Sequence, residues 1–249
     1  MAVVLETKEA AREWVWALLK KQGVQRFPFL PKRRIPNFKG SDVASVNLFQ
    51  FPEIARASII KCNPDSPQRA FREEALRRGI VLLLPTPRLV DDFLILDPER
   101  IADSSYGPAS RSSGFSTYGV FCSLRDIPQP QVTIVGSVAI SERGGRCGKG
   151  HGYADMESAM LKEVGIQSTP VFSSVHEFQL VKDFPVEQTD LRLSGVSTPQ
   201  GNRRFLEEVP EWPSLDWSKV SQKQMRQIPL LGELLGSGDS SPLTERTLS

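Results

Sequence analysis

Histidine and cysteine are scarce in this sequence, with two and three residues among 249. His151 and His176 are too few for a histidine-rich metal site, which argues against zinc chemistry. The cysteines are odd in number and lack CxxC spacing, so the pattern argues against a disulfide scaffold and indicates a reducing compartment. Cys147 is either an oxidisable thiol or, as is commoner, a structural residue.

Long apolar stretches are also missing. No run of about 18 apolar residues occurs, and the amino terminus MAVVLETKEAARE lacks a signal-peptide core followed by a small-residue cleavage site. The net charge is only +2, from 31 basic and 29 acidic residues, which gives no global attraction to nucleic acid or membranes. We therefore predict a cytoplasmic protein without a membrane partner, in which any anion binding is local.

The length allows one large domain with an extension. We predict an α/β domain over residues 1–205 and a helical extension over 206–235, where WPSLDWSKVSQKQMRQIPLLGELL offers one or two short helices. The final residues, 236–249, have the composition of a disordered tail.

The two common phosphate-binding motifs are absent from the sequence. GxxxxGK[ST] fails because Gly150 follows Lys149, and GxGxxG fails because Tyr153 occupies the third glycine position. The chain does contain VTIVGSVAISERGGRCGKGHGYADMESAMLKEV, residues 132–164. This segment predicts a buried strand, a glycine-rich loop and an amphipathic helix, the order that is typical of a phosphate-binding site.

The loop at residues 148–152 has the chemistry that an anion requires. It alternates three glycines with two basic residues, namely Gly148, Lys149, Gly150, His151 and Gly152. Glycine lets the backbone approach the anion, and the N–H groups of a helix beginning near Tyr153 add partial positive charge. Asp155, in the first helical turn, could coordinate the magnesium of a nucleotide triphosphate. The alternative is a flexible turn in which Asp155 compensates the helix dipole.

Strand and helix patterns alternate along the rest of the chain. They predict an α/β three-layer sandwich around a largely parallel sheet, and such sheets bind ligands at the carboxyl ends of their strands. Helices are predicted over 7–21, with Thr7 as N-cap, and over 66–78; strands over 57–61, 80–85, 132–140, 170–181 and 191–199; and a loop over 98–131, covering a ligand cleft.

Five segments resemble one known family. They are RIPNFKG (34–40), LLLPTPRL (82–89), IVGSVAIS (134–141), GKGHGYADMESAM (148–160) and VEQTDLRLSGVSTP (186–199). They are similar to the 5-formyltetrahydrofolate cyclo-ligase family, and within it to the branch of methenyltetrahydrofolate synthase domain-containing proteins. The resemblance extends over roughly residues 7–235. It implies a cyclo-ligase-like fold and an enzyme that uses ATP and Mg²⁺ to convert 5-formyltetrahydrofolate to 5,10-methenyltetrahydrofolate through a phosphorylated formyl group.

The same resemblance assigns the phosphate contacts. Lys8 and Arg12 match a lysine and an arginine that reach the nucleotide phosphates, although their spacing alone would equally suit a solvated helix face. Arg146 and Lys149 match the catalytic cations of the nucleotide loop. Lys149 replaces a usual arginine and cannot make its bidentate fork. The remaining nucleotide contacts implied are Gly148, Gly150, His151, Gly152 and Tyr153.

Metal and substrate residues are implied in the same way. Asp155 and Asp190 match the magnesium-associated aspartates, although Asp190 could equally cap a turn. Arg88 is predicted to contact an anionic group such as a folate glutamate, with a surface salt bridge as the alternative. Tyr153 is predicted to contact the substrate, a reduced folate or a related heterocycle.

Two departures from the family pattern fall on the folate side. Ala154 replaces the second tyrosine of the family's GYYD, which removes an aromatic surface. Ser66, Pro67, Gln68 and Arg69 stand where cyclo-ligases often carry a glutamate that holds the pterin. An alternative is therefore a non-catalytic nucleotide- or RNA-binding protein.

The RNA alternative has little support in the sequence. The basic segment PKRRIPNFKG gives RNA only a weak footprint, and no aromatic RNP1 pattern is present. An unrelated nucleotide or sugar-phosphate enzyme on the same type of fold is a third reading.

Overall fold

The computed structural model describes residues 3–27, 34–86 and 93–236. A central sheet of eight strands has helices on both faces, which confirms the predicted α/β sandwich. The strands are β1 (Ile59–Cys62), β2 (Val81–Leu84), β3 (Phe93–Leu96), β4 (Val120–Cys122), β5 (Val132–Ile134), β6 (Ala139–Ser141), β7 (Arg146–Cys147), β8 (Val171–Ser174), β9 (Leu180–Val181), β10 (Gly195–Thr198) and β11 (Gly201–Arg204). The helices are α1 (Lys8–Lys21), α2 (Ser41–Asn47), α3 (Pro52–Ala55), α4 (Arg69–Arg77), α5 (Tyr106–Ala109), α6 (Phe115–Tyr118), α7 (Tyr153–Glu163), α8 (Gln222–Gln227) and α9 (Pro229–Gly236).

The middle of the central sheet is parallel. Its strand order is β11-β10-β8-β5-β1-β2-β3-β4, and the pairs β10–β8, β8–β5, β5–β1 and β1–β2 are parallel. The outer pairs are antiparallel. The carboxyl ends of five strands therefore meet at one edge of the sheet, where a ligand site is expected.

Buried side chains fill the space on both faces of this sheet. On one face, Phe71 of α4 and Phe115 of α6 pack against β1 and β2. On the other, Met160 of α7 packs with Val171 of β8. In the predicted strand over 80–85, Leu82, Leu83 and Leu84 are all fully buried, as is typical of a strand that is covered on both faces.

Helix α1 forms as the sequence predicts. The hydroxyl of Thr7 accepts a hydrogen bond from the backbone N–H of Ala10 at 3.0 Å, so Thr7 is the N-cap. Val15 and Leu19 are fully buried, in the same apolar cluster as Ala139 of β6 and Cys147 of β7. This packing places the first two turns of α1 beside the glycine loop.

The predicted strand over 132–140 is wrong in its extent. The chain leaves the central sheet after Ile134 and enters a three-stranded sheet, of order β7-β6-β9, at Ala139. Gly136 lies at the break, where an added Cβ would come within 2.4 Å of Asp65 Oδ2. The predicted strand over 170–181 divides likewise into β8 and β9. An apolar run does not reveal which sheet each residue joins.

The predicted loop over 98–131 is also wrong in part. It contains α5, α6 and β4, because Tyr106, Ala109 and Phe115 are buried in the core. The residues that line the cavity described below come from other parts of the chain.

The C-terminal segment packs on the body of the protein. Trp212 is 1% exposed and Leu231 is fully buried, in the same apolar cluster as Met160 of α7. The domain boundary at residue 205 stays a prediction, and the predicted tail from residue 237 onward lies outside the described residues. Within the described chain, no helix combines the length and the apolar character needed to cross a membrane. The cytoplasmic location stays a prediction.

Candidate functional site

The glycine loop leads directly into the amino terminus of α7. Gly150 has a φ of 97° and Gly152 a φ of 69°, backbone conformations that residues with a Cβ rarely adopt. Gly152 is the N-cap, so no side chain of its own covers the N–H groups of the first turn. The predicted helix start near Tyr153 is confirmed, and the N–H groups there provide partial positive charge.

A cavity of about 210 Å³ opens at this helix terminus. We call it the anion pocket. It is bounded by α1, the segment after β1, β7, the glycine loop and α7, and lies at the carboxyl edge of the central sheet. Its lining is Lys8, Arg12, Ile35, Asn63, Asp65, Arg146, Gly148, Lys149, Gly150, His151, Gly152, Tyr153, Ala154, Asp155 and Asp190.

Four predicted cations meet in the anion pocket, and Arg146 is the most buried of them. It is 7% exposed. Its Nε and Nη2 donate hydrogen bonds to the carbonyl of Gly136 at 3.2 and 3.1 Å, and its Nη1 lies 3.3 Å from Asp155 Oδ1. The guanidinium is therefore fixed between the end of β5 and the first turn of α7.

The other three cations also have partners. Lys8 Nζ lies 2.6 Å from both carboxylate oxygens of Asp190. Arg12 Nε donates to the carbonyl of Gly148 at 2.8 Å, which joins α1 to the glycine loop. Lys149 Nζ lies 3.0 Å from Asp65 Oδ1. The positive charge is thus balanced by carboxylates that an incoming anion would have to replace.

The two predicted metal aspartates line the same cavity. Asp155 Oδ1 accepts the backbone N–H of Leu191 at 3.0 Å, and Asp190 Oδ2 accepts that of Glu187 at 2.6 Å. Asp190 therefore also caps a turn, as the alternative reading held. Among the described residues, no group of three or more histidine, cysteine or acidic side chains could hold a metal by itself.

The sequence analysis did not identify Asn63 and Asp65 as pocket residues. Both follow β1 directly, at the carboxyl edge of the sheet. Ligand sites lie at the carboxyl ends of parallel strands, so this rule could have predicted both residues. Asp65 packs against Gly136. A Cβ added at Gly136 would collide with the carboxylate of Asp65.

A buried ion pair beneath the pocket was also missed. Lys61 Nζ of β1 lies 2.5 Å from Glu157 Oε1 of α7, and the two side chains are 0% and 2% exposed. Lys61 also donates to Asn63 Oδ1 at 3.2 Å. Burial raises the pKa of Glu157, against the opposing effect of Lys61. The pair joins the central strand to α7, and through Asn63 to the pocket wall.

Cys147 lies behind the glycine loop. It is fully buried, its Sγ lies 3.3 Å from the carbonyl of Lys8, and burial raises its pKa to about 11. These features favour the structural reading over an oxidisable thiol, because the thiolate is the reactive form.

The aromatic surface at the anion pocket comes from His151 and Tyr153. The rings of His151 and Tyr153 stack with centroids 5.8 Å apart. Ala154, the next residue, is 7% exposed and lines the cavity without an aromatic group. Tyr153 and His151 thus lie where the predictions placed them, at the rim of the glycine loop.

Gln68 is one of the four residues, 66–69, that stand where cyclo-ligases often carry a pterin-binding glutamate. It is fully buried, and its Nε2 donates to Ser174 at 2.9 Å (Oγ) and 3.3 Å (carbonyl). Its side chain is therefore buried and does not line the anion pocket, and its buried Oε1 has no hydrogen-bond partner among the described residues. Arg88, predicted to contact an anionic substrate group, lies outside the described residues.

The fold and the pocket together define a class: an α/β protein with a basic, glycine-lined site at the carboxyl edge of a largely parallel sheet. A model of the 5-formyltetrahydrofolate cyclo-ligase family matches residues 5–199. The chain belongs to the 5-formyltetrahydrofolate cyclo-ligase family, as the sequence motifs predicted.

Curated relatives extend this similarity beyond residue 199. The chain is 35% identical over 235 residues to a human methenyltetrahydrofolate synthase domain-containing protein, covering 92% of this chain and 61% of the relative. The mouse protein of that name is 36% identical and is covered to 63%. The chain thus spans about three fifths of the length of these relatives.

A solved structure supports the fold. The NMR structure of 5,10-methenyltetrahydrofolate synthetase from Aquifex aeolicus matches with a TM-score of 0.51 and 20% identity, over 85% of this chain and 97% of that one.

Proposed function

We propose that the chain is an ATP- and Mg²⁺-dependent, cyclo-ligase-like enzyme that acts on a reduced folate. One observation carries the proposal: Lys8, Arg12, Arg146 and Lys149 surround a single cavity at the amino terminus of α7. Phosphoryl transfer depends mainly on positioning and charge stabilisation, so a polyphosphate needs this set of cations and backbone donors.

Each cation has a distinct part in holding the phosphates. Arg146 is fixed by Gly136 and Asp155, so it presents its charge without reorganisation. Lys8 and Lys149 would exchange a carboxylate for a phosphate oxygen. Arg12, fixed to the carbonyl of Gly148, holds the loop against α1 so that its N–H groups face the ligand.

The carboxylates present fit magnesium. Mg²⁺ is usually bound through one or two carboxylates together with substrate phosphates and water, and Asp155 and Asp190 supply two in one cavity. The described contacts of Asp155 fall on Oδ1, which leaves Oδ2 for a cation. Bound there, the metal would neutralise charge on the transferred phosphoryl group.

The proposed reaction follows the family's chemistry. The formyl oxygen forms a bond to the terminal phosphorus of ATP, and ADP leaves. The neighbouring nitrogen of the folate then forms a bond to the activated carbon, the carbon–oxygen bond breaks, and inorganic phosphate leaves. Lys149 and Arg146 are the cations that we assign to the phosphoryl group in both steps.

The test is a spectrophotometric assay with ATP, Mg²⁺ and 5-formyltetrahydrofolate. We expect methenyltetrahydrofolate absorbance to rise with enzyme concentration, to need all three components, and to be lost in Asp155→Asn. An exposed carboxylate, Asp42, provides a control, since Asp42→Asn should keep the activity. Constant absorbance with folded wild-type protein would contradict the proposal.

A second candidate is a nucleotide-binding protein that does not turn over folate. Gln68 favours it, because its Nε2 donates to Ser174 in the core, and Ala154 favours it by removing an aromatic surface. This candidate predicts ATP binding without methenyltetrahydrofolate formation. The RNA alternative gains no support from the pocket, and residues 31–33 of its basic segment lie outside the described residues.

A further inference from the structure

A second cavity adjoins the anion pocket. It has a volume of about 240 Å³, and we call it the extension groove. Gly152, Asp155 and Asp190 line both cavities. The two spaces therefore meet at the first turn of α7, where one ligand can reach both.

One wall of the extension groove comes from the C-terminal segment. Residues 213–216, Val220 and Gln224 line it, and all lie beyond residue 199, where the family match ends. This chain therefore has a wall beside its anion pocket that the matched family region does not supply.

The C-terminal wall is firmly attached to the body. The indole N–H of Trp212 donates to the carbonyl of Thr169 at 3.2 Å, and Trp212 is 1% exposed. Lys162 of α7 donates to Ser214 Oγ at 3.2 Å. The groove is therefore a formed cavity and not a gap beside a loose segment.

The extension groove differs chemically from the anion pocket. Its apolar lining is Met156, Ala159, Pro213, Leu215 and Val220, and none of its lining residues in the described chain is lysine, arginine or histidine. Its polar lining includes the hydroxyl of Thr189 and the carboxylates of Asp155, Asp190 and Asp216. The groove therefore suits a flat, uncharged group that carries hydrogen-bond donors, and disfavours a phosphate.

We propose that the extension groove binds the base of a nucleotide whose phosphates occupy the anion pocket. The proposal rests on the proposed function, because it requires polyphosphate in that pocket. The cavity is smaller than the roughly 300–1,000 Å³ typical of drug-sized ligands, and one bicyclic base suits its volume.

The experiment compares two ligands that differ only in the nucleoside: ATP and inorganic tripolyphosphate, each with Mg²⁺, titrated calorimetrically into the whole chain. Wild-type protein should bind ATP about tenfold more tightly than tripolyphosphate. Val220→Trp, which fills the groove, should remove this preference and leave the tripolyphosphate Kd within about twofold. Leu215→Trp fills the same groove from another residue, and serves if the first variant does not fold.

Val209→Trp is the matched control, since Val209 is 50% exposed in the same segment and outside the groove. It should leave the preference for ATP intact. If tripolyphosphate binds and ATP binds no better, the groove proposal is overturned while the anion pocket stands. Equal loss of both ligands in the groove variants, or loss of the preference in Val209→Trp, would also overturn it. If neither ligand binds wild-type protein, the proposed function itself fails.

Discussion

Polar residues at the two sides of the sheet's carboxyl edge have different environments: on one side they line a cavity, and on the other they are buried in the core. At the glycine loop, Arg146 and Lys149 line an open cavity, where Arg146 pairs with Asp155 and Lys149 pairs with Asp65. Near β8, Gln68 is fully buried, and its amide is engaged with Ser174. We therefore propose that polyphosphate binding and folate binding are separable in this chain. The cations proposed to bind polyphosphate line one cavity, and the departures from the family pattern lie on the proposed folate side.

The largest expected effect comes from replacing Arg146, the most buried cation of the anion pocket. Arg146→Met should weaken Mg²⁺-tripolyphosphate binding by about tenfold to a hundredfold, because hydrogen bonds from a charged group contribute about 1.5–3 kcal/mol. Calorimetric titration measures it. Arg143→Met is the control, since Arg143 is 75% exposed on its side chain and pairs with Asp183. Equal affinity in Arg146→Met and wild type would remove Arg146 from the site.

Gln68→Glu tests whether the side chain at position 68 belongs to the core or faces a ligand site. A carboxylate cannot donate to the Ser174 carbonyl, so we expect the free energy of unfolding to fall by about 1–3 kcal/mol, measured with urea. Gln50→Glu, on the exposed Gln50, should change it little. Unchanged stability together with gained 5-formyltetrahydrofolate binding would show that position 68 faces a ligand site after all.

The sequence was informative where the site is continuous along the chain. The glycine loop and α7 follow one another, so the helix start near Tyr153 and the place of Asp155 in the first turn could be predicted from local pattern alone. Gln68 and Ser174 are 106 positions apart, and Lys61 is far from Glu157 in sequence. No periodicity reports such contacts, because they arise only when β1, β8 and α7 pack together.

Because local sequence patterns do not report tertiary packing, the strand over 132–140 was predicted to be too long. Every residue of 132–140 is buried, although two sheets share the segment, so burial does not mark where one strand ends and the next begins. The close approach of Asp65 to Gly136 marks the break. That contact, like the pairing of Asp65 with Lys149, depends on tertiary packing.

A smaller effect should follow from releasing Lys149. Asp65→Asn removes the carboxylate that competes with phosphate, so tripolyphosphate should bind about two- to fivefold more tightly, consistent with a partly exposed pair worth about 0.2–1 kcal/mol. Lys149→Met completes a double-mutant cycle: in that background, Asp65→Asn should lose most of its effect. Weaker binding in Asp65→Asn would instead show that Asp65 itself holds the ligand or its metal.

The smallest expected effect concerns the reactivity of Cys147, which lies behind the glycine loop. Because burial raises the pKa of Cys147 to about 11, the thiolate is scarce at pH 7.5, and Cys147 should resist iodoacetamide while the partly exposed Cys122 reacts. Peptide mass spectrometry after timed alkylation measures both rates. Alkylation of Cys147 as fast as Cys122 would mean that the glycine loop opens readily, and that its contact with α1 is not stable.

The central claim is that the cavity at the amino terminus of α7 binds polyphosphate. Calorimetric titration of wild-type protein with Mg²⁺-tripolyphosphate, at low and at high salt, tests it most directly. We predict one site per chain, with an affinity that falls as salt rises because the contacts are ionic. No binding heat at millimolar ligand, or an affinity independent of salt, would contradict the account.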